Sequence, residues 1–234
     1  GKNHDELNKI IKRNFFQRIR KEDVLPDLPE KTFQQIILPD TYKLRVPVTD
    51  KEKMAAEARA LVQRLESGES VNVPISLQGQ RRAQGLLKVE PVIQFVEELL
   101  EQQIPTVLVG VHKDVLFKFR EHFAGYMPAY IDGSVSANDR YAAVKKFQDG
   151  NTDLFIGQLV AAGTGITLTR ASTMVIAEMD YSPANLSQMC ARLHRISQKN
   201  PVTIYYFTVH GSIDEAIERV VVQKAKDFNK VVEG

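Results

Sequence analysis

The chain has 234 residues, 43% hydrophobic and 26% charged, which is the balance of a soluble globular protein with one large or two small cores. Its formal charge of +2 neither requires nor excludes a nucleic-acid partner, because local patches matter more than totals. A single cysteine excludes an internal disulfide and predicts a reducing, intracellular setting; there is no apolar run long enough to span a membrane and no secretory signal. The opening Gly-Lys-Asn, without a Met, predicts a piece of a longer chain.

In chain order, residues 4–20 carry Leu7, Ile10, Ile11, Phe15 and Ile19 at helical spacing and end in the charged run RIRKED. Pro26 and Pro29 then impose an extended linker, followed by a strand at FQQIIL. A second helix is expected over residues 50–66, opened by Thr49-Asp50 and closed near Gly68, with a polar loop after it over 68–84. From residue 88 short apolar runs alternate with helical patterns: PTVLVG, PAYID, TDLFIG, TMVIAE and VTIYYFTV, with helices reaching Phe123 and Phe147 and a last one starting at Ser212. That alternation predicts a mainly parallel sheet covered by helices on both faces.

Within it, Ser182-Pro183 reads as a helix start, a Ser cap followed by Pro at the first helical position. A helix over 183–197 sets Gln188, Arg192 and Arg195 on one face and Leu186, Cys190 and Leu193 nearly opposite. No Asp or Glu lies between Tyr181 and Ile213, so these arginines await a negative charge from elsewhere. Arginine suits planar anions such as phosphate, which it grips with two donors.

In an open parallel sheet, ligands bind beyond the carboxyl ends of the strands. The segments there are Val111-His112-Lys113, then Asp132-Gly133-Ser134 ahead of a helix capped by Ser136 with Asp139, then QLVAAGTGITLTRA. Their backbone N–H groups could track a phosphate backbone. Two motifs mislead: GTGITL holds Leu168 where a dinucleotide fingerprint needs its third Gly, and DEAI at 214–217 belongs to an S-x-x-E helix cap from Ser212 to Glu215 rather than to a metal-binding acidic box. No G-x-x-x-x-G-K-[ST] phosphate loop and no metal-ligand spacing of histidines occurs, so the arginines form half of a phosphate site.

The succession VLVGVHKD, IDGSVSANDR, LVAAGTGITLTRAS and DYSPANLSQMCARLHRISQKNPVTIYYF resembles the C-terminal RecA-like lobe of helicase superfamily two, in particular the Swi/Snf-type branch of DNA-dependent ATPases. RIRKEDVLPDLPEKT is similar to that branch's inter-lobe segment, and RRAQGLLKVEPVIQFVEELL to its annealing-helicase subgroup. The resemblance implies an α/β lobe of the P-loop-NTPase type, with a connecting segment over 1–49, a helical insertion and loop over 50–86, and the lobe proper over 87–234. It implies Arg195 as an arginine finger with Arg192 beside it, Gln188 organising the same ATP-facing surface, and Gly163 and Gly165 in the loop that couples ATP to DNA. Gly110, His112, Lys113, Gly133, Ser134, Arg140, Thr164 and Thr167 would lie along duplex DNA.

ATP and Mg2+ would be held mainly by an N-terminal lobe of the same protein, so the piece alone, a monomer with no membrane partner, is expected to hydrolyse nothing. The setting would be nuclear in a eukaryote and cytoplasmic otherwise. Ser197 stands where the family usually has Gly, Tyr181-Ser182 where it has Trp-Asn, and His112-Lys113 replace its usual polar pair. These departures keep a non-catalytic DNA- or protein-docking module in play; an RNA helicase lobe of the same superfamily is a further alternative, against which the arginine-helix signature stands.

Overall fold

The computed structural model describes residues 28–45, 48–67, 75–212, 214–215 and 217–222, so the helix expected over 4–20 and the RIRKED run lie outside the described residues. Six strands form one sheet: β1 (Lys31–Leu38), β2 (Thr106–Gly110), β3 (Ala129–Ile131), β4 (Leu154–Gln158), β5 (Thr173–Ile176) and β6 (Val202–Val209). They are ordered β1-β6-β5-β2-β4-β3, and every pairing is parallel. Each apolar run expected to be a strand is one. FQQIIL, in β1, pairs along its length with β6 and so extends the sheet.

The helices are α1 (Val48–Ser67), α2 (Ile75–Leu87), α3 (Val89–Glu101), α4 (Lys113–His122), α5 (Ala137–Gln148), α6 (Leu159–Ala162) and α7 (Pro183–Leu193), and the described residues among 214–222 are helical too. Side chains alternate across a strand, so β2 sends Val107 and Val109 into one core and Leu108 into the other. The first core takes in Phe147 of α5 and Leu186, Met189 and Leu193 of α7; the second takes in Val92 and Val96 of α3 and Leu116 and Phe119 of α4. The caps expected from sequence form. Ser136 accepts from Asp139 N at 3.2 Å and Ser182 from Asn185 N at 3.3 Å. Ser212 accepts from Glu215 N at 3.4 Å, while the Glu215 carboxylate reaches Gly211 N at 2.7 Å.

Two expectations fail: the helix expected over 183–197 ends at Leu193, and the loop expected over 68–84 is largely helix. Most of the polar loop assigned to 68–84 is α2, which starts at Ile75. Its apolar periodicity is faint because the face it buries, Leu77 apart, is polar. Arg81, Gln84 and Lys88 are all buried. Gln84 donates to Tyr42 O at 2.7 Å and accepts from Leu44 N at 2.9 Å. The Arg81 guanidinium donates to Met179 O and stacks 3.7 Å from the centre of the Tyr181 ring. Lys88, at the junction of α2 and α3, pairs with Asp214 at 3.0 Å and donates to Phe207 O at 3.1 Å. Burial alone would lower the Lys88 pKa, but the charge and hydrogen bond of Asp214 raise it, so it stays charged.

Glu218 is also buried, and its Oε2 has no hydrogen-bond partner. Burial raises its pKa well above the ordinary 4.5, against the opposing pull of Lys88. The sign follows directly: above pH 4.5 the folded chain holds a proton that the unfolded chain has released, so this group's contribution to stability falls as pH rises. Thermal unfolding of the wild type and Glu218→Gln should therefore show the variant gaining on the wild type steadily as pH rises above that value. A difference that does not change with pH would mean that Glu218 is ionised in the fold.

Candidate functional site

Ser182 caps α7 and Pro183 occupies its first turn, while Leu186, Met189, Cys190 and Leu193 are buried. Burial pushes the Cys190 thiol up to about 11, which makes it a packing residue and not a nucleophile. The helix is shorter than its spacing predicts. It ends at Leu193, His194 leaves the helical region, and Arg195 lies in the turn that follows. Gln188, Arg192 and Arg195 therefore do not share one helical face.

Gln198 makes that turn. Buried itself, it donates from Nε2 to Ala171 O at 2.8 Å, Thr169 O at 3.2 Å and Leu193 O at 3.3 Å, and accepts from the N–H groups of Lys199 and Asn200, each at 3.0 Å. The Leu193 carbonyl at the end of α7 thus accepts from this side chain as well as from Arg195 N at 3.1 Å, and the chain turns there. His194 Nε2 meets Pro29 O at 2.7 Å, which ties the turn to the segment ahead of β1.

The turn still delivers both arginines to one loop. Arg195 donates to Thr167 Oγ1 at 3.0 Å, Arg192 reaches Ile166 O at 3.5 Å, and Leu168 N donates to Arg192 O at 2.9 Å. Arg192 also donates to Gln188 O at 3.1 Å, so Gln188 contributes its carbonyl there while its side chain is exposed. Neither arginine has an acidic partner among the described residues. Partial burial, and then the neighbouring Arg195 charge, lowers the Arg192 pKa. Two like charges thus lie together without a counter-ion among the described residues, an arrangement that attracts anions.

The loop starts at α6. Gly163 ends that helix where a Cβ would stand 3.0 Å from Leu159 O, and Gly165 has φ +68, a conformation open to glycine. Thr164 is exposed and donates to Ala161 O at 3.3 Å. Arg140 of α5 also directs its guanidinium at Ala161 O.

A second group of residues gathers after β2 and β3. Gly110 ends β2, and a Cβ there would lie 3.2 Å from Glu178 Oε2. That oxygen accepts from Val111 N and His112 N, each at 3.0 Å, and Oε1 lies 2.6 Å from His112 Nδ1. Ser134 donates to Asp132 through N–H at 2.7 Å and hydroxyl at 2.5 Å, and Lys113 approaches the same carboxylate at 3.5 Å. Burial would raise the Asp132 pKa, but the Ser134 and Tyr130 hydrogen bonds and Lys113 hold it down at about 2. Gln158 joins the two loops, accepting from Gly133 N at 3.0 Å and donating to Val111 O at 3.0 Å.

The residues expected at the site thus form two groups. Gly110, His112, Lys113, Gly133 and Ser134 are held together through Glu178, Asp132 and Gln158; Arg140, Gly163, Thr164, Gly165, Thr167, Arg192 and Arg195 gather on the loop from α6. The segment 158–168 connects them, since Gln158 is bonded to the first group and Thr167 to the second.

Residues 88–197 match the helicase conserved C-terminal domain. The Drosophila melanogaster SWI/SNF-related matrix-associated actin-dependent regulator of chromatin subfamily A-like protein 1 is 28% identical over 98% of this chain and 30% of its own length. The mouse DNA annealing helicase and endonuclease ZRANB3 is 30% identical over 99% of this chain and 22% of its own. A solved structure of the C-terminal part of the Fun30 ATPase domain superposes with a TM-score of 0.53 at 25% identity, covering 57% of this chain and 45% of that one. The chain is a Swi/Snf-type C-terminal helicase lobe. It spans less than a third of the length of either named curated relative.

Sequence reasoning missed Glu178, Gln158 and Gln198 as organisers of this helicase lobe. Glu178 carried a signal, a carboxylate closing the buried strand run TMVIAE, and Gln198 ends the arginine-rich stretch. Gln158 shows none, because one Gln after an apolar strand is unremarkable in sequence. Gln198→Ala should lower stability by about 1–3 kcal/mol in urea unfolding, since it orphans buried carbonyls. Arg195→Ala, at an exposed position, should stay within about 0.5 kcal/mol of wild type. Equal losses in the two variants would mean that Gln198 does not hold the turn.

Proposed function

We propose that this lobe is the second motor lobe of an ATP-dependent translocase acting on duplex DNA. The observation that carries the reading is the pair Arg192 and Arg195, without a counter-charge among the described residues, held against a loop whose other end, at Gln158, accepts from Gly133 N and donates to Val111 O. ATP and Mg2+ would be held mainly by an N-terminal lobe. Arg195, with Arg192 beside it, would stabilise the charge that develops on the transferred phosphoryl group. The donors suit that role, being charged guanidinium groups held against the loop at Ile166 and Thr167.

Gly110, His112, Lys113, Gly133 and Ser134 would meet DNA phosphates, giving affinity without sequence preference. Arg140 and Thr164 would support the loop rather than reach far from it, because their donors meet Ala161 O. Alternate closing and opening of the two lobes would then move the grip along one strand. Duplex DNA is preferred to RNA as the track on the names of the relatives, one of them a DNA annealing helicase and endonuclease. The animal origin of both named relatives favours a nuclear setting. No helix among the described residues is long and apolar enough to cross a membrane.

The test is ATP turnover by the full-length protein with duplex DNA, with RNA of equal length, and with neither. Duplex DNA should stimulate most. Arg195→Ala should cut the stimulated rate by about a thousandfold or more. The lobe alone should turn over no ATP. Wild-type turnover in Arg195→Ala would leave α7 and its turn as a basic docking surface.

A further inference from the structure

We infer that Glu178 is a positioning residue through which the DNA-facing loop after β2 and the arginine helix α7 move as one body, and that Gly85 is glycine to make room for it. The inference rests on the motor reading above and goes beyond it, because neither residue faces DNA or nucleotide in that reading.

Glu178 follows β5, is buried, and binds the β2–α4 loop at Val111 N, His112 N and His112 Nδ1. A carboxylate that accepts three such bonds fixes a loop more firmly than packing does, because any slip leaves buried polar atoms unmet. The four residues after it run straight into α7. Met179 O is held by Arg81, whose guanidinium lies on the Tyr181 ring; Asp180 accepts from Tyr181 N at 2.7 Å and from the Asn185 side chain; Ser182 caps the helix. Bonds at Glu178, Met179, Asp180 and Ser182 thus run from the loop after β2 to the helix cap.

α2 closes the arrangement from behind. Arg81, Gly85 and Lys88 recur at i, i+4 and i+7 and share one buried face. A Cβ on Gly85 would stand 2.2 Å from Glu178 Oε1 and 2.8 Å from its carboxyl carbon, so the carboxylate occupies that space. A glycine inside a helix costs about 1 kcal/mol against alanine, and here the close approach of Glu178 accounts for it. Gly85→Ala therefore displaces the carboxylate without altering any residue of the two functional groups.

The experiment uses the full-length protein with a blunt duplex as the DNA probe, and three variants: Gly85→Ala, Glu178→Ala and Glu178→Gln. Glutamine keeps one oxygen to accept from Val111 N and His112 N. Hydrogen exchange of peptides covering 110–113 and 183–195, with and without duplex, is read beside duplex affinity, melting temperature and ATP turnover. In the wild type, duplex should slow exchange in both peptides. In Gly85→Ala and Glu178→Ala, slowing should persist over 110–113 and vanish over 183–195. Stimulation of turnover should fall about tenfold while duplex affinity changes less than about threefold, and Glu178→Gln should retain most of the response.

If both peptides respond in Gly85→Ala and Glu178→Ala as in the wild type, the inference is wrong and the motor reading stands. If affinity, melting temperature and both responses collapse together in all three variants, Glu178 is a packing residue and the inference fails. If duplex changes neither peptide nor turnover in the wild type, the motor reading falls and takes this inference with it.

Discussion

Six parallel strands end at one edge, and the backbone N–H and carbonyl groups left over there must be satisfied without a further strand. In this lobe buried or half-buried side chains do it. Glu178 takes the amides after β2, Asp132 those after β3, and Gln158 bridges the two loops. At the opposite end of the sheet, ahead of β5 and β6, Gln198 takes the carbonyls after the Gly-rich loop and at the end of α7. Glu178, Gln158 and Gln198 each serve chain segments far apart in sequence. The carboxyl edge after β2, β3, β4 and β5 is therefore a single hydrogen-bonded surface and not a set of independent loops, and the segment 158–168 leads from it to the arginines.

The segment 158–168 gains its importance from that surface. It is short, starts at the strand β4 and packs under α7 at Gly163, where a Cβ would be 3.9 Å from Met189 N. The two glycines act at different points along it. Gly163 permits close approach of backbones, and Gly165 permits the left-handed turn that carries the chain back to Thr167 beside Arg195.

The sheet was legible in the sequence because its strands are buried on both faces, and continuous apolar runs such as TVLVG and TMVI have few other destinations. Caps were legible too, since Ser136, Ser182 and Ser212 act within four residues of themselves. The limits fall where a signal depends on distant partners. α2 escaped because its inner face is Arg81, Gln84 and Lys88, residues that pattern reasoning assigns to water. The end of α7 escaped because its apolar stripe gives no stop, and the stop comes from Gln198 folding back from the next turn. The arginines were found as residue types with no acidic neighbours, but their shared target, the loop at Ile166 and Thr167, is a tertiary fact.

The polar face of α2 also has an energetic logic. Burying Lys88 with Asp214 stabilises little in net terms, since desolvation of both ions offsets most of their attraction. Apolar side chains could hold a helix there at least as firmly. They would not fix its axial position, because apolar contacts are tolerant of sliding and rotation. Arg81 on Met179 O, Gln84 on Tyr42 and Leu44, and Lys88 on Phe207 O are directional, and together they admit one register. Only in that register does Gly85 lie against the Glu178 carboxylate. A helix one turn out of place would set a side chain into that space and push the loop after β2 off the edge. The buried charges are thus a device for placing a glycine.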